Sequence, residues 1–272
     1  MHCDILSDLP NPMFSHLTCL LVVLAAAAIT NAADPTGPQL AERLDHVRRP
    51  DKSFEVRLNI TEMRDGKTTQ QSSLRVMARK QANDPHFDAV SLCLAPDADK
   101  GKSVFASGSE VWFYDLKSKR PTQLSAHHFR GKFFVADALS TSFAADYNTE
   151  LTGEETIKDA ARTDVLCYRI KMKRRDKNGL TADVIEYWVD KKLLQPIRGQ
   201  FYTSAGKLLR TSYYAGYAKV LEDVRPTRVL VVSNTERGLV TDIKFEGFAL
   251  HEWPQEMFAK DALPRVSRGE LP

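Results

Sequence analysis

From Ala182 to Tyr217 the chain reads as an antiparallel meander, and no other stretch narrows the choice of fold as far. Ile185, Tyr187 and Val189 alternate with Val184, Glu186 and Trp188, a period of two that sends successive side chains to opposite faces of a strand. Asp190-Lys191-Lys192 turns the chain, and Pro196 marks a strand edge because it has no N–H for a central ladder. Phe201 and Tyr202 close a second strand, Thr203-Ser204-Ala205-Gly206 supplies turn chemistry, and Leu208 to Tyr217 runs back. Nothing in the stretch has the pattern of a catalytic site. It is a wide sheet in the making.

The same rhythm holds on either side. Phe54, Val56, Leu58 and Ile60 alternate with Glu55, Arg57, Asn59 and Thr61, and Arg64-Asp65-Gly66-Lys67 is a hairpin turn. Leu74 and Val76 share one face of the return strand, Val90, Leu92 and Leu94 one face of the next. Ser103–Ala106 and Glu110–Leu116 pair around Ser107-Gly108-Ser109, and Arg120–Leu124 adds a short strand. Rhythm returns at Asp164 with Leu166, Tyr168, Ile170 and Met172, turns at Lys177-Asn178-Gly179, and continues through Thr227–Ser233 and Leu239–Leu250. About ten strands in one domain predict a mainly β fold whose large antiparallel sheet curls, because strand twist accumulates. Thr36-Gly37-Pro38 caps one short helix with Leu40, Leu44 and Val47 on its apolar side.

Between His127 and Ile157 the strand rhythm is absent. Phe133, Phe134, Leu139, Phe143 and Tyr147 are scattered among small residues there, and Asp137-Ala138-Leu139-Ser140 starts a short helix. Such a segment reads either as an irregular or helical lid over a curled sheet or as a long loop with its own cluster.

Leu17 to Ile29 is an apolar run broken only by Thr18 and Cys19, and small residues follow at Thr30-Asn31-Ala32-Ala33. It is short for a membrane span and matches a secretory signal cleaved after Ala32. The expected organisation is a signal peptide over 1–32, one β domain over 33–264 and a flexible tail over 265–272, with one helical turn at Trp253–Ala259. Losing Asp4 and Asp8 with the signal takes the formal charge from +3 to +5. That mild, dispersed excess lacks the stripe of a nucleic-acid binder. The cluster Lys171-Met172-Lys173-Arg174-Arg175 reads as a solvated strand end, with contact to anionic lipid head groups as the sharper alternative. Cys93 and Cys167 sit in strand patterns, either paired in an oxidising compartment or buried as free thiols. His127 and His128 are adjacent and point apart on an extended chain, so they make a poor chelate. The sequence calls for no cofactor, no metal and no catalytic residue.

Three stretches together resemble the LolA-like proteins, in particular the branch of outer membrane lipoprotein-sorting proteins. Gly108 to Leu116 (GSEVWFYDL), followed by Lys119-Arg120, is similar to a strand motif of that family. Phe129–Thr156 resembles the region between its two sheet halves, and Trp188-Val189-Asp190, Pro196, Phe201-Tyr202 and Gly206-Lys207-Leu208 resemble its second motif. The resemblance covers roughly Gln39 to Leu263. It implies an open β half-barrel with helical cover, a monomer in the periplasm, holding acyl chains of a lipoprotein or lipid in an apolar cavity and meeting an inner-membrane export complex. Arg79 is the one position offered as counterpart to the family's lid-holding arginine. The expected cavity wall is Val56, Leu58, Ile60, Trp112, Tyr114, Tyr187 and Phe201, and the expected cover Phe133, Phe134 and Phe143. The alternative is an envelope lipid or stress sensor acting with a membrane partner; an exported hydrolase lacks any recognisable nucleophile–base arrangement.

Overall fold

The computed structural model describes residues 34–125, 139, 141–176 and 182–271, and Pro35–Pro272 form one compact unit. The expected signal peptide, His127, His128, Phe133, Phe134 and the turn at Lys177-Asn178-Gly179 lie outside the described residues. The first helix, α1 (Gly37–Arg48), carries the predicted cap. Thr36 and Gln39 cap it reciprocally, and Leu40, Leu44 and Val47 are buried along one side.

Thirteen strands follow: β1 (Phe54–Arg64), β2 (Lys67–Lys80), β3 (Phe87–Ala95), β4 (Ser103–Ser107), β5 (Glu110–Tyr114), β6 (Thr122–Gln123), β7 (Tyr147–Lys158), β8 (Asp164–Arg174), β9 (Val184–Asp190), β10 (Pro196–Tyr202), β11 (Leu208–Val220), β12 (Asp223–Ser233) and β13 (Leu239–Leu250). All belong to one open antiparallel sheet in the order β6-β5-β4-β3-β2-β1-β13-β12-β11-β10-β9-β8-β7. Two meanders are thus joined back to back. Among the described residues they join at a seam of β1 with β13, from Phe54 opposite Leu250 to Arg64 opposite Leu239. Asp65 and Gly66 both have positive φ in the β1–β2 turn, the backbone that a two-residue hairpin requires.

This topology gives the middle of the chain a fixed task. The first meander ends at β6 on one edge and the second starts at β7 on the other, so a crossing segment between Gln123 and Tyr147 joins the two edges. Its described end forms α2 (Phe143–Asp146), with Ser142 accepting from the Ala145 amide. The irregular stretch was expected to run to Ile157, but β7 is a strand from Tyr147. As an edge strand it buries only Tyr147 and Ile157, so it shows no apolar alternation.

The sheet is strongly curled. From β3 to β7 is nine steps along the strand order, about 40 Å if the sheet were flat at ~4.8 Å per step. Yet His86, just before β3, bonds Asp146, just before β7, at 2.9 Å. The N-terminus of α1 also rests on β7: a Cβ on Gly37 would stand 2.9 Å from both Leu151 N and Thr149 O, so only glycine allows that approach.

Cover differs on the two faces. On one, the helix face, Leu40, Ala41 and Leu44 of α1 pack on β7 to β13. On the other, the tail face, Met77, Val90, Leu92 and Phe105 meet the C-terminal segment through Trp253, Met257, Phe258, Leu263 and Val266. Adjacent residues prove the faces opposite: Val76 and Ala78 belong to the helix face and Met77 to the tail face. The C-terminal segment has 3-10 turns at Gln255–Met257 and Lys260–Ala262 and then α3 (Leu263–Ser267). The flexible tail expected from Arg265 is therefore corrected for 265–271. Val266 is 1% exposed and Ser267 Oγ bonds Ser103 Oγ at 2.7 Å; too few apolar residues remained in the tail to reveal this from periodicity. Cys93 and Cys167 are both buried free thiols, and burial pushes Cys167 up to about 12.

Candidate functional site

The helix face is one continuous apolar surface. Phe54, Val56, Leu58, Val76, Ala78, Phe87 and Ala89 supply the first meander's share. Ile170, Met172, Ile185, Tyr187, Val189, Phe201, Val229, Val231 and Ile243 supply the second's. Ile60 and Phe245 pack against both groups and join them across the seam.

Of the expected wall, Val56, Leu58, Ile60, Tyr187 and Phe201 share this face, and Phe143 covers it. Phe143 lies 5.4 Å from Tyr187 and 6.0 Å from Tyr147, ring centre to ring centre. Gly199 makes room for Tyr187, since a Cβ there would be 2.9 Å from the ring's Cζ. Trp112 and Tyr114 are placed elsewhere. Trp112 pairs with Phe105 and Tyr114 with Ser103, so both point to the tail face, where Tyr114 is buried under the C-terminal segment and Lys260 sits 4.7 Å from the Trp112 ring. Alternation fixed that these two share a face, but not which face.

Polar groups are few on this surface and well placed. Tyr187 Oη and Tyr214 Oη are 2.5 Å apart, and burial holds both hydroxyls above their ordinary pKa, hence neutral. Arg210 lies over the Phe201 ring at 4.2 Å.

A cluster at the end of α1 pins the crossing segment to the face. Asp45 accepts from the amides of Phe143 and Ala144 at 2.9 and 3.0 Å and from Ser142 Oγ at 2.9 Å. Burial opposes its charge, but Arg48, Arg49 and those amides outweigh it and hold its pKa below the usual range. Arg48 pairs with Asp45 at 2.6 Å, donates to Thr141 O at 2.9 Å and stacks 3.6 Å over Phe143. Arg49, 3% exposed, donates to Leu139 O, Thr141 O and Pro85 O at 2.9, 2.6 and 3.0 Å. Burial and the neighbouring Arg48 bring its pKa to about 10, still charged at neutral pH. His86 completes the cluster between Asp146 and Asp84; the bond to Asp146, then that to Asp84, raise it to about 9 against the cost of burial.

Sequence reasoning missed this cluster. Its signal is Asp45 three residues before Arg48-Arg49, in the last turn of a helix meant to lie flat on a sheet. Arg79, by contrast, reaches toward Asp88 at 3.9 Å and alternates onto the tail face, away from the crossing segment. The basic cluster at Lys171–Arg175 is largely engaged: Lys171 with Glu186, Arg174 with Tyr147 Oη, Arg175 with Asn148 and Ala145 O.

A family model described as "-like: Uncharacterized protein" matches residues 86–265. Among curated proteins no sequence matches the chain. A LolA superfamily protein from Nitrosomonas europaea superposes with a TM-score of 0.72 at 22% identity, covering 84% of this chain and 99% of that one. An outer membrane lipoprotein-sorting protein domain from Vibrio parahaemolyticus gives 0.69 at 17%, covering 84% and 98%. A DUF1329 family protein from Desulfovibrio piger gives 0.69 at 18%, covering 84% and 97%. These likenesses establish the fold. The chain belongs to the family of the matching model, and its open curled sheet with an N-terminal helix is the LolA-like fold.

Proposed function

We propose that the chain is a periplasmic carrier that holds the acyl chains of a lipoprotein or lipid against the helix face and moves them toward the outer membrane. One observation carries the reading: among the described residues the apolar face of the sheet is covered by α1 and by Leu139 and Phe143. Each acyl CH₂ withdrawn from water contributes about 0.8 kcal/mol, so such a face retains a long chain without specific chemistry. The described end of the crossing segment, Leu139 and Thr141 to Asp146, is fixed over that face by Asp45, Arg48, Arg49 and His86. Cargo and segment then compete for the same surface, and release is a shift between two packings. The cargo is an acylated molecule, the donor an export complex of the inner membrane, and the working unit a monomer.

The test is native mass spectrometry and lipid extraction of the protein purified from periplasm without detergent, followed by uptake of a fluorescent fatty acid by the delipidated chain. A stoichiometric acylated molecule and saturable uptake are expected. Finding neither would overturn the carrier.

A further inference from the structure

Six large apolar side chains stand out as exposed among the described residues, and four of them gather at one end of the second meander. Leu193, 61% exposed, projects from the β9–β10 turn, with Leu166 on β8, Tyr217 near the end of β11 and Val224 at the start of β12. The turns β7–β8, β9–β10 and β11–β12 lie at the same end because alternate turns of a meander do. Contacts tie these positions together: Lys191 N donates to Leu166 O at 2.9 Å, Gln195 Nε2 to Val224 O at 3.0 Å, and Tyr217 Oη to Pro196 O at 2.6 Å.

The charges at this end are sorted. Its carboxylates are mostly consumed: Asp159 accepts from the amides of Ala161 and Thr163, Asp190 from those of Lys192 and Leu193, Asp164 takes Lys158, and Asp223 takes Arg43. Arg162, Lys192 and Lys219 are exposed cations with no side-chain partner among the described residues, against one such carboxylate, Glu222. Separate apolar tips, interleaved with long-stemmed cations and with most acids hydrogen-bonded or ion-paired, suit a shallow interface of head groups and acyl chains better than a groove for one peptide.

We propose that this end of the sheet, led by Leu193 with Lys192 and Lys219, docks the protein on an anionic lipid bilayer. The proposal rests on the carrier reading for its purpose, while its content rests on side-chain positions alone. The basic cluster at Lys171–Arg175, read from sequence as a solvated strand end with lipid contact as the alternative, is at the opposite end, where Lys171, Arg174 and Arg175 have partners.

The test is co-sedimentation of the cargo-free chain with vesicles of phosphatidylcholine alone or with about one third phosphatidylglycerol, at low and high salt. Binding to the anionic vesicles that weakens with salt is expected. Leu193→Asp should reduce partitioning about tenfold, Lys192→Glu with Lys219→Glu should remove the salt dependence, and Leu116→Asp, exposed elsewhere, should change nothing. All variants should take up fluorescent fatty acid as the parent does, which separates this outcome from failure of the carrier reading. No sedimentation of the parent chain, or equal sedimentation of Leu193→Asp, would overturn the proposal and leave a protein as the occupant.

Discussion

His86 Nε2 stands 2.9 Å from Asp146 Oδ1, joining the turn before β3 to the residue before β7, nine strands away in the sheet. Its Nδ1 faces Asp84, so a protonated ring lies between two carboxylates. The folded pKa is raised to about 9 from an ordinary 6.5, first by Asp146. A raised histidine contributes stability that is complete below about pH 6.5 and is lost as pH climbs through 9. The melting temperature should therefore fall between pH 7 and 9.5 in the parent chain by more than in His86→Ala. Parallel pH curves would show that the ring carries no such coupling.

Arg49 makes three bonds to backbone carbonyls from a buried position. Arg49→Met should cost about 3 kcal/mol in urea unfolding, because those carbonyls lose a charged donor. Arg49→Lys should restore little, since one ammonium cannot span a planar fork's acceptors. Hydrogen exchange should accelerate first at the amides of Phe143 and Ala144, where the segment is pinned to Asp45. Unchanged exchange there would remove Arg49 from the clamp.

Val266 is in the C-terminal cover of the tail face. Val266→Asp should destabilise by about 3 kcal/mol, as a charge is buried without a partner. A midpoint matching the parent chain would mean that the cover is dispensable.

Much of this architecture was legible in the sequence. Period-two runs at Phe54–Ile60 and Ile185–Val189 placed their strands, and Asp65-Gly66 placed its turn. The thirteen-stranded order was not legible, because the β1–β13 seam is set by contacts between residues nearly two hundred positions apart. β7 was hidden by its exposed edge, where Glu150, Glu154 and Glu155 replace the apolar alternation. Of the residues expected as cavity wall, Val56, Leu58, Ile60, Tyr187 and Phe201 share the helix face. Trp112 and Tyr114 were misplaced because alternation fixes relative parity within a strand and says nothing of which face a distant helix will cover.

The three tryptophans make the central claim measurable. Trp112 lies on the tail face against the C-terminal segment, which itself contributes Trp253, and Trp188 lies on the same face beside Cys167 and Ile197. Phe245 lies on the helix face at the seam. Titrating a brominated fatty acid, which quenches indole only on contact, into the parent chain and Phe245→Trp reads the two faces separately. Acyl binding on the helix face predicts little change in the parent emission and strong, saturable quenching of the added indole. Quenching of the native tryptophans with the added one untouched would contradict it.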